Sequence, residues 1–597
     1  MSNTTNQIVF TNKAQCRDCY RCLRVCPVKA IRMQDGQAQV VAERCISCGT
    51  CIRHCPQKAK GFRNDVNRAV SLLNAGGPVA ASVAPSFVAM FSPWQQKRLP
   101  SALRELGFAY VGETAVGAHP VAVRTAEVVN ASPHRPHICT ACPAVVSYIE
   151  QYEGDLAGLL TGVTSPMIAH ARHIKNRLGR QAGVIFIGPC IAKKAEAQRP
   201  ENAGLVDCVL TFEELMEWLA GAGIKLAACE ESGFDEAPAG HSRVFALTGG
   251  CLKTGGLSTD VLSPQVLCVS GFEAVREAIG SARTGEPVVI EPLFCPDGCI
   301  NGPALPGEDN VHIRRRRVLD YARDARDAGE TPATLDLSAR FAAMPAVASR
   351  EHSEDDIRRV LEMTGKTAEA DQLNCGACGY PSCRQKAVAV LDGMAEPQMC
   401  IPHMRRLAER RTDRIIETSP NGIVILDERL GILSMNPAFA RYFMCTQALC
   451  GKHVSCLMDP HLFEKLATGQ QTLIEQVVRH EKYGLLCHQI LYSLPQERQY
   501  VGIFVNITRS QADKEKLSQL QAATTLQARE LLEHQLGMAQ KIAQFLGESA
   551  ARGEQLVENL MELAGERIES AGDGQSPAGR ATSAGVKGWK WDTSTPK

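Results

Sequence analysis

Twelve of the chain's 25 cysteines fall into groups whose spacing suits iron rather than disulfides. Near the start, Cys16-x2-Cys19-x2-Cys22-x3-Cys26-Pro27 is followed by Cys45-x2-Cys48-x2-Cys51-x3-Cys55-Pro56. Tight turns at this spacing aim three thiolates at one 4Fe–4S cube, and the proline diverts the chain after the fourth. In such tandem runs the fourth cysteine ligates the other cluster. One cluster then uses Cys16, Cys19, Cys22 and Cys55, and the other uses Cys45, Cys48, Cys51 and Cys26. The chemistry is electron transfer. Zinc is the competing ligand set, and two tandem copies that both end in proline weigh against it.

A second group, Cys375-x2-Cys378-x4-Cys383-x16-Cys400, has Gly376 and Gly379 to let the backbone wrap closely, and Pro397 and Pro402 around its distant member. It resembles a small 4Fe–4S module found in several redox proteins. Between these groups, three contexts carry scattered cysteines: Ile138-Cys139-Thr140-Ala141-Cys142-Pro143, Gly188-Pro189-Cys190-Ile191-Ala192-Lys193-Lys194-Ala195-Glu196 and Glu291-Pro292-Leu293-Phe294-Cys295-Pro296-Asp297-Gly298-Cys299-Ile300-Asn301-Gly302. The apolar run Val184 to Ile187 predicts a buried strand that delivers Cys190 at its carboxyl end, and Ala80 to Ala84 predicts another that ends at Pro85-Ser86. Ligands of open α/β sheets collect at such ends.

These three contexts, with the Leu247-Thr248-Gly249-Gly250 turn, resemble the signature motifs of the iron-only (FeFe) hydrogenases, over roughly residues 10–310. The resemblance implies an H-cluster: a 4Fe–4S cube on Cys142, Cys190, Cys295 and Cys299, with Cys299 bridging to a diiron subcluster that carries CO and cyanide. Lys193 and Ser86 match residues that hydrogen-bond the cyanides, which suits a cationic donor. The chain departs from the family where a relay cysteine belongs, because Ala141 stands there and carries no proton. Gly188 and Leu293 replace methionines, and Arg124 lies near the place of a relay glutamate, with Glu127 the candidate for a second. Cys139 reads as a small buried residue or a spare relay thiol. Frame kept and proton route lost, the pattern resembles the family's sensory branch.

Further on, Gly422 to Asp427 and Ile432 to Asn436 predict two strands, Pro437 to Phe443 a helix, and Leu485 to Ser493 and Tyr500 to Ile507 later strands; together they resemble a PAS sensor domain with an unknown ligand. Cys445, Cys450, Cys456 and Cys487 match no standard site there. From Ala512, Leu532, Leu536, Ala539, Ala543 and Leu546 recur at the four-and-three spacing of a signalling or coiled-coil helix, which makes a homodimer an expectation.

The fold class expected is a multidomain α/β chain of 597 residues. Its parts are a two-cluster ferredoxin domain (1–65), a hydrogenase-type α/β core (75–310), a charged connector (311–350), a helical 4Fe–4S module (351–410), a PAS α+β domain (412–508), a helix (509–568) and a disordered tail (569–597). A net charge of +1 argues against a nucleic-acid partner. No apolar run approaches the ~20 residues of a membrane span, and the polar start lacks a signal peptide, so a cytoplasmic setting is expected.

The function expected is sensing of hydrogen or redox state, read out through the PAS domain, with slow hydrogen oxidation or proton reduction. Its partners would be hydrogen and protons, a ferredoxin or other electron carrier, diiron maturation proteins and a phosphatase or kinase. A catalytic ferredoxin-linked hydrogenase with a regulatory PAS domain, and a non-catalytic iron–sulfur scaffold, are the alternatives.

Overall fold

A computed structural model describes residues 7–260, 262–305, 309–323, 335–345 and 351–508. The chain divides into two compact units, residues 1–409 and 410–597.

The first unit begins with two cluster-binding loops, each leading into a short helix, Arg21–Val25 and Thr50–Arg53. Tyr20 and Gly49 precede these helices in the left-handed region. At Gly49 no side chain fits: a Cβ would lie 2.6 Å from Pro303 and 2.9 Å from Ile191. Glycine here lets the second loop lie directly on the next domain. Strand Val9–Thr11 pairs with Lys60–Phe62, and Ile31–Gln34 pairs with Gln37–Val40, both antiparallel.

Two parallel sheets build the core that follows. One has the order Tyr110–Glu113, Val79–Val83, Gly183–Gly188, Cys208–Thr211. The other runs Val266–Ser270, Val289–Leu293, His137–Ile138. Every residue of Val79–Val83 and of Gly183–Gly188 is buried, which is why both read as unbroken apolar runs rather than alternating ones. Both strands aim their carboxyl ends at the same place, and Ser86 and Cys190 follow there. Helix Ala192–Ala197 is pinned beneath by Lys194, whose buried ammonium donates to Asp65 at 2.7 Å, Glu214 at 2.9 Å and the Val209 carbonyl at 2.8 Å.

The stretch expected as a connector is corrected by the structure. Helix Val311–Arg323 packs on the core: Val318 and Arg314 are buried, the Tyr321 hydroxyl donates to Glu113 at 2.9 Å, and the Tyr321 ring meets Phe87 edge-on at 5.4 Å. Residues 335–345 also dock, with the Thr164 N–H donating to the Leu337 carbonyl and the Met344 N–H to the Glu150 carbonyl. Arg315 and Arg316 are exposed, and the run of four arginines hides a buried stripe that includes Arg314 and Val318.

Helices Glu354–Met363 and Cys383–Leu391 pair through Ile357, Val360, Leu361 and Ala387 to make the small module. It sits on the first cluster domain through the Met33 N–H to the Met394 carbonyl at 3.0 Å and Arg24 to the Ala377 carbonyl at 3.1 Å. Helix Ile401–Thr418 starts immediately after Cys400.

The second unit holds a five-stranded antiparallel sheet in the order Ile432–Met435, Gly422–Leu426, Gln499–Asn506, Leu485–Leu494, Leu473–His480. The last strand was not expected from the sequence. It is an edge strand with mostly exposed side chains; its apolar residues Leu473, Ile474, Val477 and Val478 come in adjacent pairs rather than in the alternation of a half-buried strand. Phe439, Phe443, Phe463 and Phe504 fill one face. Asn436 ties the entry together: its Oδ1 accepts the N–H groups of Ile423 and Phe439, and its Nδ2 donates to the Ile416 and Asn421 carbonyls. The expected helix 509–568 and tail 569–597 lie outside the described residues. Among the described residues no helix is long and apolar enough to cross a membrane.

Candidate metal centres

The fold gathers the cysteines into four groups. Burial, followed by the nearby thiols of Cys19, Cys16 and Cys55, pushes the Cys22 thiol up to about 11. Cys51 is pushed up by burial and then by Cys48, Cys26 and Cys45. Cys55 is thus an electrostatic neighbour of Cys22, and Cys26 of Cys51. Backbone N–H groups aim at these sulfurs: Ala30 at Cys26 and Ala59 at Cys55, each at 3.2 Å, and Ser47 at Cys45 at 3.4 Å. Such bonds favour the thiolate, the form that iron binds.

The third group is Cys142, Cys190, Cys295 and Cys299. Burial and then Cys142 push Cys190 up to about 11, and Cys295 is pushed up by burial and then by Cys190, Cys299 and Cys142. Each thiol comes from the end of an element: Cys142 precedes helix Pro143–Tyr152, Cys190 follows strand Gly183–Gly188, and the other two flank the turn after Val289–Leu293. That turn requires Gly298, at φ +87°, where a Cβ would meet the Ala246 carbonyl at 2.7 Å. Arg53, two positions past Cys51, lies near Cys295 and donates to the Asn301 carbonyl. The second ferredoxin-type site therefore abuts the third group.

In the fourth group, burial raises the Cys378 thiol, and Cys400 and Cys375 add to it. All four cysteines line one cavity of about 420 Å³. Among the described residues no three His, Cys, Asp or Glu are gathered to hold a single ion, as zinc would need with sulfur about 2.3 Å from one point.

The residues beside the third group fit an additional anion-bearing group. Ser86 is 1% exposed, and its hydroxyl has no hydrogen-bond partner among the described residues. The Lys193 ammonium lies near Cys190 and Cys299 and pairs with Glu196 at 2.6 Å. Ala141 is half-buried and packs against the apolar cluster that includes Val163, Phe245 and Cys251. Arg124 and Glu127 pair with each other at 2.8 Å on the solvent face, so Glu127 is no buried relay.

Sequence reasoning missed Glu291. It is 2% exposed, and burial raises it to about 7 against the opposing pull of N–H groups from Leu252, Cys251, Gly249 and Gly250. Cys251, Cys268 and Cys299 feel its charge, and Cys139 neighbours Cys251 and Cys268. The Thr248-Gly249-Gly250 turn makes the cradle; at Gly250 a Cβ would strike the Val244 carbonyl at 2.1 Å. Its one clue was a charge within an apolar strand.

Family comparisons agree with this layout. Residues 77–303 match the C-terminal domain of the iron only hydrogenase large subunit. Residues 8–56 match a 4Fe-4S dicluster domain, 371–402 an Fe–S cluster domain and 410–476 a PAS domain. The NADP-reducing hydrogenase subunit HndD of Solidesulfovibrio fructosivorans is 26% identical over 318 residues, 43% of this chain and 54% of that protein. The cytosolic Fe-S cluster assembly factor NAR1 of Vanderwaltozyma polyspora is 43% identical over 79 residues, 13% of this chain and 15% of that protein. The chain thus spans about half of HndD and far less of NAR1. An FeFe-hydrogenase HydA1 structure from Chlamydomonas reinhardtii matches with a TM-score of 0.38 at 17% identity, covering 47% of this chain and 99% of that one. In chain order the matches are therefore a 4Fe–4S dicluster domain, the C-terminal domain of the iron only hydrogenase large subunit, an Fe–S cluster domain and a PAS domain.

Proposed function

We propose that the protein senses hydrogen or redox state at an H-cluster and signals through its PAS domain, with slow hydrogen turnover. The observation that carries this reading is the set of four facing cysteines with the buried Lys193 ammonium near Cys190 and Cys299, and the buried, unpartnered Ser86 hydroxyl three residues past strand Val79–Val83, which pairs with the strand that delivers Cys190. Cys142, Cys190, Cys295 and Cys299 would hold the cube, and Cys299 the link to the diiron subcluster. When bound, that group supplies reversible cleavage of hydrogen into protons and electrons.

The chain's own residues then set the rate. Ala141 has no proton to give. Glu291, held near neutrality by burial, and the thiols of Cys251 and Cys139 are the proton-bearing groups at hand. Slow turnover suits a sensor. The PAS domain would pass the state to a separate partner, such as a phosphatase or kinase.

Maturing the protein with diiron and recording infrared spectra tests this. CO and cyanide bands are expected, and their absence would sink the reading. The local identity with NAR1 favours one competitor, an iron–sulfur assembly role without diiron. Iron quantitation separates the two, because about two irons beyond the cubes belong only to the hydrogenase reading.

A further inference from the structure

The fourth cysteine group differs from the others in the charge around it. Lys366, Lys386, Arg405 and Arg406 line its cavity, against one carboxylate, Asp371. Both lysines are buried, Lys366 at 6% and Lys386 at 3% exposure. The Lys366 ammonium donates to Cys400 Sγ at 3.2 Å and to the Thr364 hydroxyl at 2.8 Å. The Lys386 ammonium donates to the Pro397 carbonyl at 2.7 Å and lies in the field of Cys400, Cys378 and Cys383. Their acceptors are a hydroxyl, a sulfur and a carbonyl, none of them a carboxylate. Asp371 is itself engaged by the Ala368 N–H and the Thr367 hydroxyl.

Burying two ammonium groups is costly unless an anion faces them. A 4Fe–4S cube with four thiolates is that anion, dianionic when oxidised and one charge more negative when reduced. The ferredoxin-type groups are built differently. Their sulfurs accept backbone N–H groups, and a single buried ammonium, Lys60, lies in the field of Cys22, Cys45 and Cys51 while donating to the Thr11 hydroxyl and the Ala38 carbonyl, with the half-buried Lys29 on the Leu23 and Arg24 carbonyls; the fourth group has two buried ammonium groups, one of them on a sulfur. Among the described residues, Lys366 alone brings an ammonium within hydrogen-bonding distance of a cluster-ligand sulfur.

We infer that Lys366 and Lys386 hold the reduction potential of the 4Fe–4S cluster on Cys375, Cys378, Cys383 and Cys400 above that of the ferredoxin-type pair. Adjacent positive charge and hydrogen bonds to sulfur both favour the added electron. The step adds one electron, supplied by the titrant, and breaks no bond. The inference is independent of the diiron group.

The test is a redox titration of the full chain, with its iron–sulfur clusters reconstituted and no diiron supplied, followed by electron paramagnetic resonance. In the wild type one cluster is expected to reduce first, at potentials where the others stay oxidised. Lys366→Met and Lys386→Met should each lower the reduced-to-oxidised ratio of that cluster at least tenfold at fixed potential, about 59 mV for one electron. Lys366→Arg should restore the wild-type value. Unchanged potentials at full iron content in both methionine variants overturn the inference. So does a wild type in which this cluster reduces last, or in which its iron is missing. The wild-type order decides the matter even where a variant loses its cluster.

Discussion

Glu291 and Cys251 lie forty positions apart in sequence, and the Cys251 N–H donates to a Glu291 carboxylate oxygen at 3.1 Å. The Leu252 N–H donates to the other oxygen at 2.9 Å, so the carboxylate caps helix Gly250–Thr254 from a neighbouring strand. These bonds favour the charged form, and burial outweighs them.

This sets a pH dependence. In the fold Glu291 keeps its proton to about 7, against 4.5 for an ordinary glutamate. Between those values the folded state binds more protons than the unfolded chain, so stability is full below the window and falls as pH rises through it. The loss is about 3 kcal/mol. Glu291→Gln should flatten that part of the curve. Thermal midpoints taken at about pH 4 and about pH 8 check it: the wild type should drop further than the variant, and equal drops would place the titration elsewhere.

Ala141 is the residue to change if the proton route limits turnover. Ala141→Cys adds a thiol against the cluster that includes Val163, Phe245 and Cys251. In matured protein, hydrogen turnover should then rise on the order of 10²-fold. An unchanged rate would favour the alternative of a catalytic hydrogenase with its own proton route.

Lys194 holds two carboxylates that have no other cation of comparable burial among the described residues. Lys194→Met leaves Glu214 buried and unpaired, and leaves Asp65 with Arg63 alone at 2.8 Å. A loss of about 3–5 kcal/mol is expected. Denaturant unfolding of the cluster-loaded protein measures it. Lys193→Met, close by in sequence, should cost less stability and instead change the diiron bands of matured protein.

Asn436→Ala removes four hydrogen bonds at the entry to the PAS sheet. A destabilisation of about 1–3 kcal/mol is expected. It should appear as earlier proteolysis within 422–508, while the iron content of the first unit stays the same.

The cysteine groupings were legible because in three of the four groups short turns bring three thiols together locally, while the remaining member, Cys55, Cys26 or Cys400, arrives from farther along the chain. The third group was legible only through its flanking motifs, since Cys142 and Cys299 meet through the fold. Glu291 was invisible because a carboxylate between Ile290 and Pro292 has no pattern of its own; its meaning comes from helix Gly250–Thr254. Lys193 and Lys194 look alike in sequence, yet one lies beside the thiols and the other anchors the helix from below. The docked helix Val311–Arg323 was concealed by its arginines, and strand Leu473–His480 by apolar residues that come in adjacent pairs.

Ser86 has one more consequence. A hydroxyl shut away from water with nothing to bond is a standing penalty in every molecule whose pocket is empty. Replacement by alanine, a single step, would remove that penalty at no loss to a chain that never receives a guest. Descent without the diiron group should therefore erase this serine early. Its presence makes position 86 a simple marker for sorting related chains: those that still load the pocket should keep a hydrogen-bond donor there, and those that have become pure iron–sulfur scaffolds should have let it go.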